Sequence, residues 1–246
     1  MACLTAYDVS FAQVLDQNGV DVVLVGDSLG MVIQGEETTL PVTMDDMVYH
    51  GRAVSRGVKQ ALLILDMPFM SDASVEQAVA NAGRFMKQAG ANMVKLEGGA
   101  DQQELVATLT RLGIPVCAHL GLQPQRVHKL GGYRVQGREQ SVAERMLHDA
   151  RVLEQAGADM LLLECVPAEL AKQITQKASI PVIGIGAGVD CDGQILVLYD
   201  ILGISAGKIP KFSKNFMAEA NDIPAAVRLY VEQVKASSFP SFEHSF

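Results

Sequence analysis

The stretch 156-AGADMLLLECVP-167 decides the fold. Gly157 supplies the left-handed residue that ends a helix, an apolar run begins shortly after it, and the run closes on an acid, Glu164. The same phrase recurs as NGVDVVLVGD from Asn18, closing on Asp27, and as AGANMVKLEG from Ala89, closing on Glu97. A further run, LLILDMP, closes on Asp66. Continuous apolar runs of this length read as parallel strands buried on both faces. A strand with its crossover helix takes about 30 residues or more, so each acid ends a different strand. In α/β folds the residues just beyond the carboxyl ends of strands build the active site, which makes an enzyme the first expectation.

Working outward, Pro115 and Pro181 in the paired phrases IPVCAH and IPVIGI stand at strand starts, where a missing N–H is tolerated. The junctions predict strands near 2–6, 21–26, 61–66, 92–97, 115–119, 160–164, 181–185 and 195–200. Helical periodicity fills the gaps at 11–17, 44–56, 75–89, 103–112, 142–156 and 168–177, with a last amphipathic segment at 223–235. Ser74 with Gln77 and Ser141 with Glu144 have capping-box spacing. The seventh crossover, Asp190 to Gln194, is barely one turn long. Strict alternation with eight strands predicts a closed (β/α)8 TIM barrel forming a single domain over residues 1–246, close to the roughly 250 residues such barrels take.

Twenty Lys and Arg against 28 Asp and Glu give a net charge of −8, which leaves no electrostatic footprint for nucleic acid or an anionic membrane. Cys3, Cys117, Cys165 and Cys191 form no C-x-x-C pair and read as reduced thiols. No apolar stretch reaches membrane-spanning length and no signal-peptide pattern opens the chain, so the expectation is a soluble, cytoplasmic protein whose partners are small molecules and sister subunits.

Any one strand-end Asp is more often a satisfied loop-start residue than a ligand. Three carboxylates at one barrel mouth are different, because each costs several kcal/mol to dehydrate unless a proton or a cation compensates. All-oxygen donors suit magnesium, which keeps some waters and takes one or two carboxylates. Lys95 lies on the same side of its strand as Glu97 and offers an ammonium to a substrate carboxylate, or an ion pair to a neighbouring acid. His119 lacks zinc-motif spacing and reads either as a site residue or as a structural hydrogen bonder. Glu164, between MLLL and Cys165-Val166-Pro167, has an apolar setting that suits a general base, with buried packing as the alternative. The GIGAG run at 184–188 lacks the continuation of a dinucleotide fingerprint and reads as close backbone approach at the rim. Lys208, Lys211 and Lys214 form a solvated loop or meet an anionic cofactor tail. The loops Ser28–Thr43 and Gly121–Gln140 exceed the usual length and read as binding loops or lids.

Together the motifs TAYD, VGDSLGMV, TTLPVT, DMPFM, ANMVKLEGG, PVCAHLGL, GGYRVQGR, LLLECVP, IPVIGIGAG, CDGQILV and the terminal EHSF resemble the ketopantoate hydroxymethyltransferase family, in one register from Leu4 onward. The resemblance implies a barrel of the phosphoenolpyruvate–pyruvate superfamily type and a magnesium-dependent transfer. One carbon passes from 5,10-methylenetetrahydrofolate to C3 of 3-methyl-2-oxobutanoate, giving 2-dehydropantoate in the first committed step of pantothenate biosynthesis. It further implies metal ligation by Asp27, Asp66 and Glu97, and substrate contacts at Asp27, Ser28, Asp66, Lys95 and His119. Glu164 inherits the role of proton acceptor, and the assembly is a homodecamer. Family members carry a further helix before TAYD, so stability or assembly is the property its absence here bears on. A metal-dependent 2-oxo acid lyase or decarboxylase of the same superfamily is the alternative; GGYRVQGR and EHSF argue against it.

Overall fold

A computed structural model describes residues 1–205 and 209–246, so Lys208 lies outside the described residues. Eight parallel strands close into a barrel in sequence order. They are β1 Ala2–Thr5, β2 Val22–Val25, β3 Leu62–Asp66, β4 Met93–Glu97, β5 Val116–Gly121, β6 Met160–Glu164, β7 Val182–Ile185 and β8 Gly193–Leu196. Closure is made by β1, which pairs Cys3 with Val22 of β2 and with Ile195 of β8. The helices are α1 Val9–Gln17, α2 Leu29–Val32, α3 Met44–Gly57, α4 Val75–Arg84, α5 Gln103–Arg111, α6 Val127–Leu130, α7 Gln140–Gln155, α8 Ala168–Lys177, α9 Leu198–Leu202 and α10 Ile223–Lys235. None of them is long and apolar enough to cross a membrane.

The recurring phrase does more than end helices. Its polar residue, just before β2, β4 and β6, accepts a backbone N–H from the preceding odd strand, and Asp192 does the same before β8. Asp21 bonds Ala2, Asn92 bonds Leu63, Asp159 bonds Val116 and Asp192 bonds Val182, at 2.8, 2.9, 2.9 and 2.9 Å. These bonds satisfy strand-start donors at the bottom of the barrel. Gly19, Gly90 and Gly157 take the expected left-handed φ of 84°, 75° and 104°. The Asp16 carboxylate on α1 accepts the N–H groups of Lys59, Gln60 and Ala61 at 3.1, 2.8 and 2.9 Å, tying α1 to the α3–β3 connection.

Four details depart from the sequence expectation. The eighth strand is Gly193–Leu196 rather than 195–200, because the Leu198 N–H turns to the Thr5 hydroxyl at 3.0 Å and the apolar run continues as α9. The seventh crossover carries no helix. Ser141 lies inside α7, whose preceding residue Glu139 makes no side-chain cap, and Glu144 instead accepts from the Gln140 amide at 2.8 Å. Ser74 does cap α4, but the Gln77 amide bonds the Met70 carbonyl at 2.9 Å rather than completing the box. The complete capping box is Thr43 with Asp46 at the start of α3. Beyond Arg84 the helix widens into a π turn, Phe85–Ala89.

On the outside, α10 seals the closure seam: the buried Tyr230 hydroxyl reaches the carbonyls of Cys3 and Gln194, both at 2.8 Å. All four cysteines are free thiols, and burial pushes that of Cys117 up to about 12.

Candidate active site

In parallel sheets, paired residues on adjacent strands share a face, so register sets which side chains meet. Asp66 pairs with Lys95, Glu97 with His119, and Gly121 with Glu164. Asp27 lies just beyond β2, whose chain then turns directly into α2. Asp27, Asp66, Lys95, Glu97 and His119 are all buried, while the Glu164 side chain keeps 17 % exposure at the rim. The apolar enclosure expected of Glu164 is therefore partial.

Lys95 Nζ donates to both oxygens of Asp66 at 2.7 Å and stands 3.8 Å from Glu97 Oε1. Burial disfavours an ammonium, yet Asp66, Glu97 and Asp27 outweigh it and hold Lys95 charged, its pKa above the ordinary value. The ion pair offered as the alternative for Lys95 is thus present. Asp27 has no such cation: burial, reinforced by the charges of Asp66 and Glu97, pushes its carboxyl well above the usual carboxylate range. For Glu97, burial is outweighed by His119 and Lys95, which hold its pKa down.

His119 stands between two acids, with Nδ1 3.6 Å from Glu97 Oε1 and Nε2 3.4 Å from Glu164 Oε2. Both ring nitrogens and Glu97 Oε1 are buried without a hydrogen-bond partner among the described residues. Buried polar atoms are usually satisfied, and orphans concentrated in one place mark a site awaiting a ligand. Among the described residues, no three or more His, Cys, Asp and Glu side chains are already arranged to hold a metal ion. The Asp27 N–H donates to Asp66 Oδ2 at 3.4 Å.

The backbone of Glu164 is pinned. Its carbonyl accepts the Leu122 N–H at 2.8 Å, and Gly121, at φ 93°, comes so close that an added Cβ would lie 2.2 Å from that carbonyl oxygen. Cys165, which follows, holds a left-handed φ of 48°, an uncommon conformation of the kind that clusters at functional sites.

Three residues complete the site without having been expected there. The Tyr7 hydroxyl bonds Ser28 Oγ at 2.8 Å. Tyr133, in the second long loop, reaches Met31 Sδ in the first at 3.6 Å and bridges the mouth. Gln125 donates its amide to Asp27 Oδ2 at 3.0 Å and its backbone N–H to Glu97 Oε2 at 3.2 Å. Tyr7 lay within a quoted motif, whereas Gln125 carries no signal of its own, since only the closed barrel brings its loop across to Asp27.

GIGAG behaves as close backbone approach. A Cβ at Gly186 would lie 2.9 Å from the Phe212 ring and 3.0 Å from that of Phe246, and one at Gly188 would lie 2.6 Å from Ala168 Cβ. Lys214 is engaged by Glu219 at 2.9 Å and Gln233 at 3.0 Å. Lys211 bonds the Ser245 carbonyl and covers the Phe246 ring. These two lysines are committed to the chain itself, and Lys211 anchors the C-terminal tail.

An acid-lined mouth at the C-terminal ends of eight parallel strands defines a (β/α)8 enzyme. A solved member of the PEP mutase/isocitrate lyase superfamily shares this fold. A putative phosphonomutase from Burkholderia cenocepacia superposes with a TM-score of 0.65 at 16 % identity, over 82 % of this chain and 89 % of that one. A 2,3-dimethylmalate lyase of that superfamily gives 0.62 at 17 % identity, over 98 % and 84 %. The sequence profile of ketopantoate hydroxymethyltransferase matches residues 1–242. The 3-methyl-2-oxobutanoate hydroxymethyltransferase of Alkalilimnicola ehrlichii is 63 % identical over all of this chain and 89 % of its own length. That of Halorhodospira halophila is 60 % identical over the same shares. The chain belongs to the ketopantoate hydroxymethyltransferase family and is a hydroxymethyl-transferring enzyme.

Proposed function

We propose that this enzyme transfers a hydroxymethyl group from 5,10-methylenetetrahydrofolate to C3 of 3-methyl-2-oxobutanoate. The product is 2-dehydropantoate, in the first committed step of pantothenate biosynthesis. The observation that carries the reading is the division of the acids: Glu164 is partly exposed at the rim, and Asp27, Asp66 and Glu97 are buried beside Lys95.

Magnesium fits this donor set. Asp27 and Asp66 would hold it with Glu97 as the third carboxylate, whose Oε1 is buried without a hydrogen-bond partner among the described residues. Magnesium tolerates an incomplete protein cage because it keeps waters and takes substrate oxygens. Once bound, it supplies Lewis-acid polarisation of the substrate's keto group.

The protein's own residues do the rest. Ser28, its hydroxyl set by Tyr7, and the Lys95 ammonium orient the substrate carboxylate so that C3 faces Glu164. Glu164 takes the C3 proton as the C–H electrons move into the enolate. The enolate carbon then bonds to the methylene carbon, and the two carbon–nitrogen bonds of the folate break. Water supplies the hydroxyl oxygen. The two folate nitrogens take up one proton from C3 and one from that water, and tetrahydrofolate leaves. His119, between Glu97 and Glu164, orients the acceptor. The same reading carries a homo-oligomeric assembly, a decamer, tested by light scattering.

The deciding experiment follows the C3 proton of 3-methyl-2-oxobutanoate by NMR in heavy water, with and without magnesium and with no folate. Magnesium-dependent loss of the signal is expected. If the proton persists even after tetrahydrofolate is added, the substrate assignment fails.

A further inference from the structure

Gln125 is the residue that ties the acids together. It sits in a 3-10 turn, Pro124–Arg126, in the loop after β5, and is only 8 % exposed. Its side-chain Nε2 donates to Asp27 Oδ2 at 3.0 Å and to the Met67 carbonyl at 2.8 Å, and its backbone N–H donates to Glu97 Oε2 at 3.2 Å. The partners come from the chain just past β2, just past β3 and on β4. A single residue thus reaches the ends of β2, β3 and β4 and bonds two of the three buried acids there.

The amide orientation follows from its partners. A carboxylate oxygen and a carbonyl oxygen can only accept, so the NH₂ group must face them, and its two hydrogens are both used. Each acid is engaged through one oxygen. Gln125 occupies Oδ2 of Asp27 and leaves Oδ1, and it occupies Oε2 of Glu97 and leaves Oε1, which has no hydrogen-bond partner among the described residues. Hydrogen bonds of this kind fix a carboxylate's rotamer and decide which oxygen it presents. The turn is braced from outside, where the Arg126 guanidinium meets Asp101 at 3.0 Å.

We propose that Gln125 is a positioning residue of the reaction: it aims the free oxygens of Asp27 and Glu97 at the magnesium and substrate, and docks the second long loop while doing so. This rests on the function proposed above. Partners in the outer shell of a metal site are worth about 10- to 100-fold in affinity or activity, and Gln125 belongs at that scale.

The test uses Gln125→Met, which keeps the side chain's length and removes the donor, and Gln125→Asn, which keeps an amide but shortens its reach. Magnesium binding is measured by calorimetry without substrate, C3 exchange by NMR, and the apparent KM for the folate by steady-state kinetics. Gln125→Met should weaken magnesium at least tenfold and slow C3 exchange by a similar factor. The folate KM should stay within about twofold, whereas a residue that merely anchored a loop would lower the thermal midpoint and leave magnesium affinity at the wild-type value. Should Gln125→Met fail to fold, Gln125→Asn carries the same readouts, with weakened magnesium binding again expected. Wild-type magnesium affinity in a folded variant of either kind would overturn the proposal. Because that binding measurement needs neither substrate, it remains decisive even if wild-type protein exchanges no C3 proton, the result that would sink the functional reading instead.

Discussion

Glu164 and Gly121 are a pair: one is the proposed proton acceptor, the other leaves room for its carbonyl. Glu164→Gln keeps shape and removes the base, so turnover should fall about 10²- to 10⁴-fold with little change in KM for the oxo acid, as steady-state kinetics will show. Gly121→Ala acts on the same spot through the backbone. It forces a Cβ within 2.2 Å of the Glu164 carbonyl and puts alanine at φ 93°, so urea unfolding should show a loss of at least about 1–2 kcal/mol, together with lower turnover. At this scale the acids were legible because a carboxylate at the end of an apolar run conflicts with burial. Gln125 was not, since a glutamine in a loop conflicts with nothing until the barrel closes around it. Lys95 was legible in place but ambiguous in partner, because which neighbour it meets depends on the β3–β4 register.

Elements bounded by glycine, proline and apolar runs were readable to within a few residues. Where apolar residues continue past a strand, periodicity alone cannot say where the chain turns; Leu198 leaves the sheet because the Thr5 hydroxyl takes its N–H. The two proposed capping boxes show the same limit. Spacing identifies candidates, while the start of the helix decides which serine becomes a cap. Thr43→Ala should therefore cost about 1 kcal/mol in urea unfolding, since it removes the complete box. Ser141→Ala, inside α7, should change stability by no more than about 0.5 kcal/mol in the same measurement.

For the whole molecule, carboxylates do two opposite jobs at the two ends of the barrel. At the top they are crowded and in want of cations, while at the bottom they are satisfied by backbone N–H groups. Asp16 is the clearest of the latter: burial opposes its charge, but the N–H groups of Ala61, Gln60 and Lys59 outweigh burial and hold its pKa below the ordinary value. A carboxyl depressed on folding stabilises above its unfolded pKa of about 3.9 and loses that contribution as pH falls through the lower folded value. Asp16→Ala should cost on the order of 3 kcal/mol at pH 7. In urea titrations the gap to wild type should narrow steadily from about pH 4 downward, the range set by the unfolded carboxylate.

The bonds from Asp21, Asn92, Asp159 and Asp192 fall on every second strand, which gives the bottom of the barrel a near four-fold rotational symmetry. The top has none. Asp27, Asp66 and Glu97 belong to three consecutive strands on one wall, and Glu164 faces them from beyond β5. A small molecule lying across the axis therefore meets a charged wall at one end and a single acid at the other. The mouth is polar in the sense that a compass needle is, so the two ends of a bound molecule meet different surroundings.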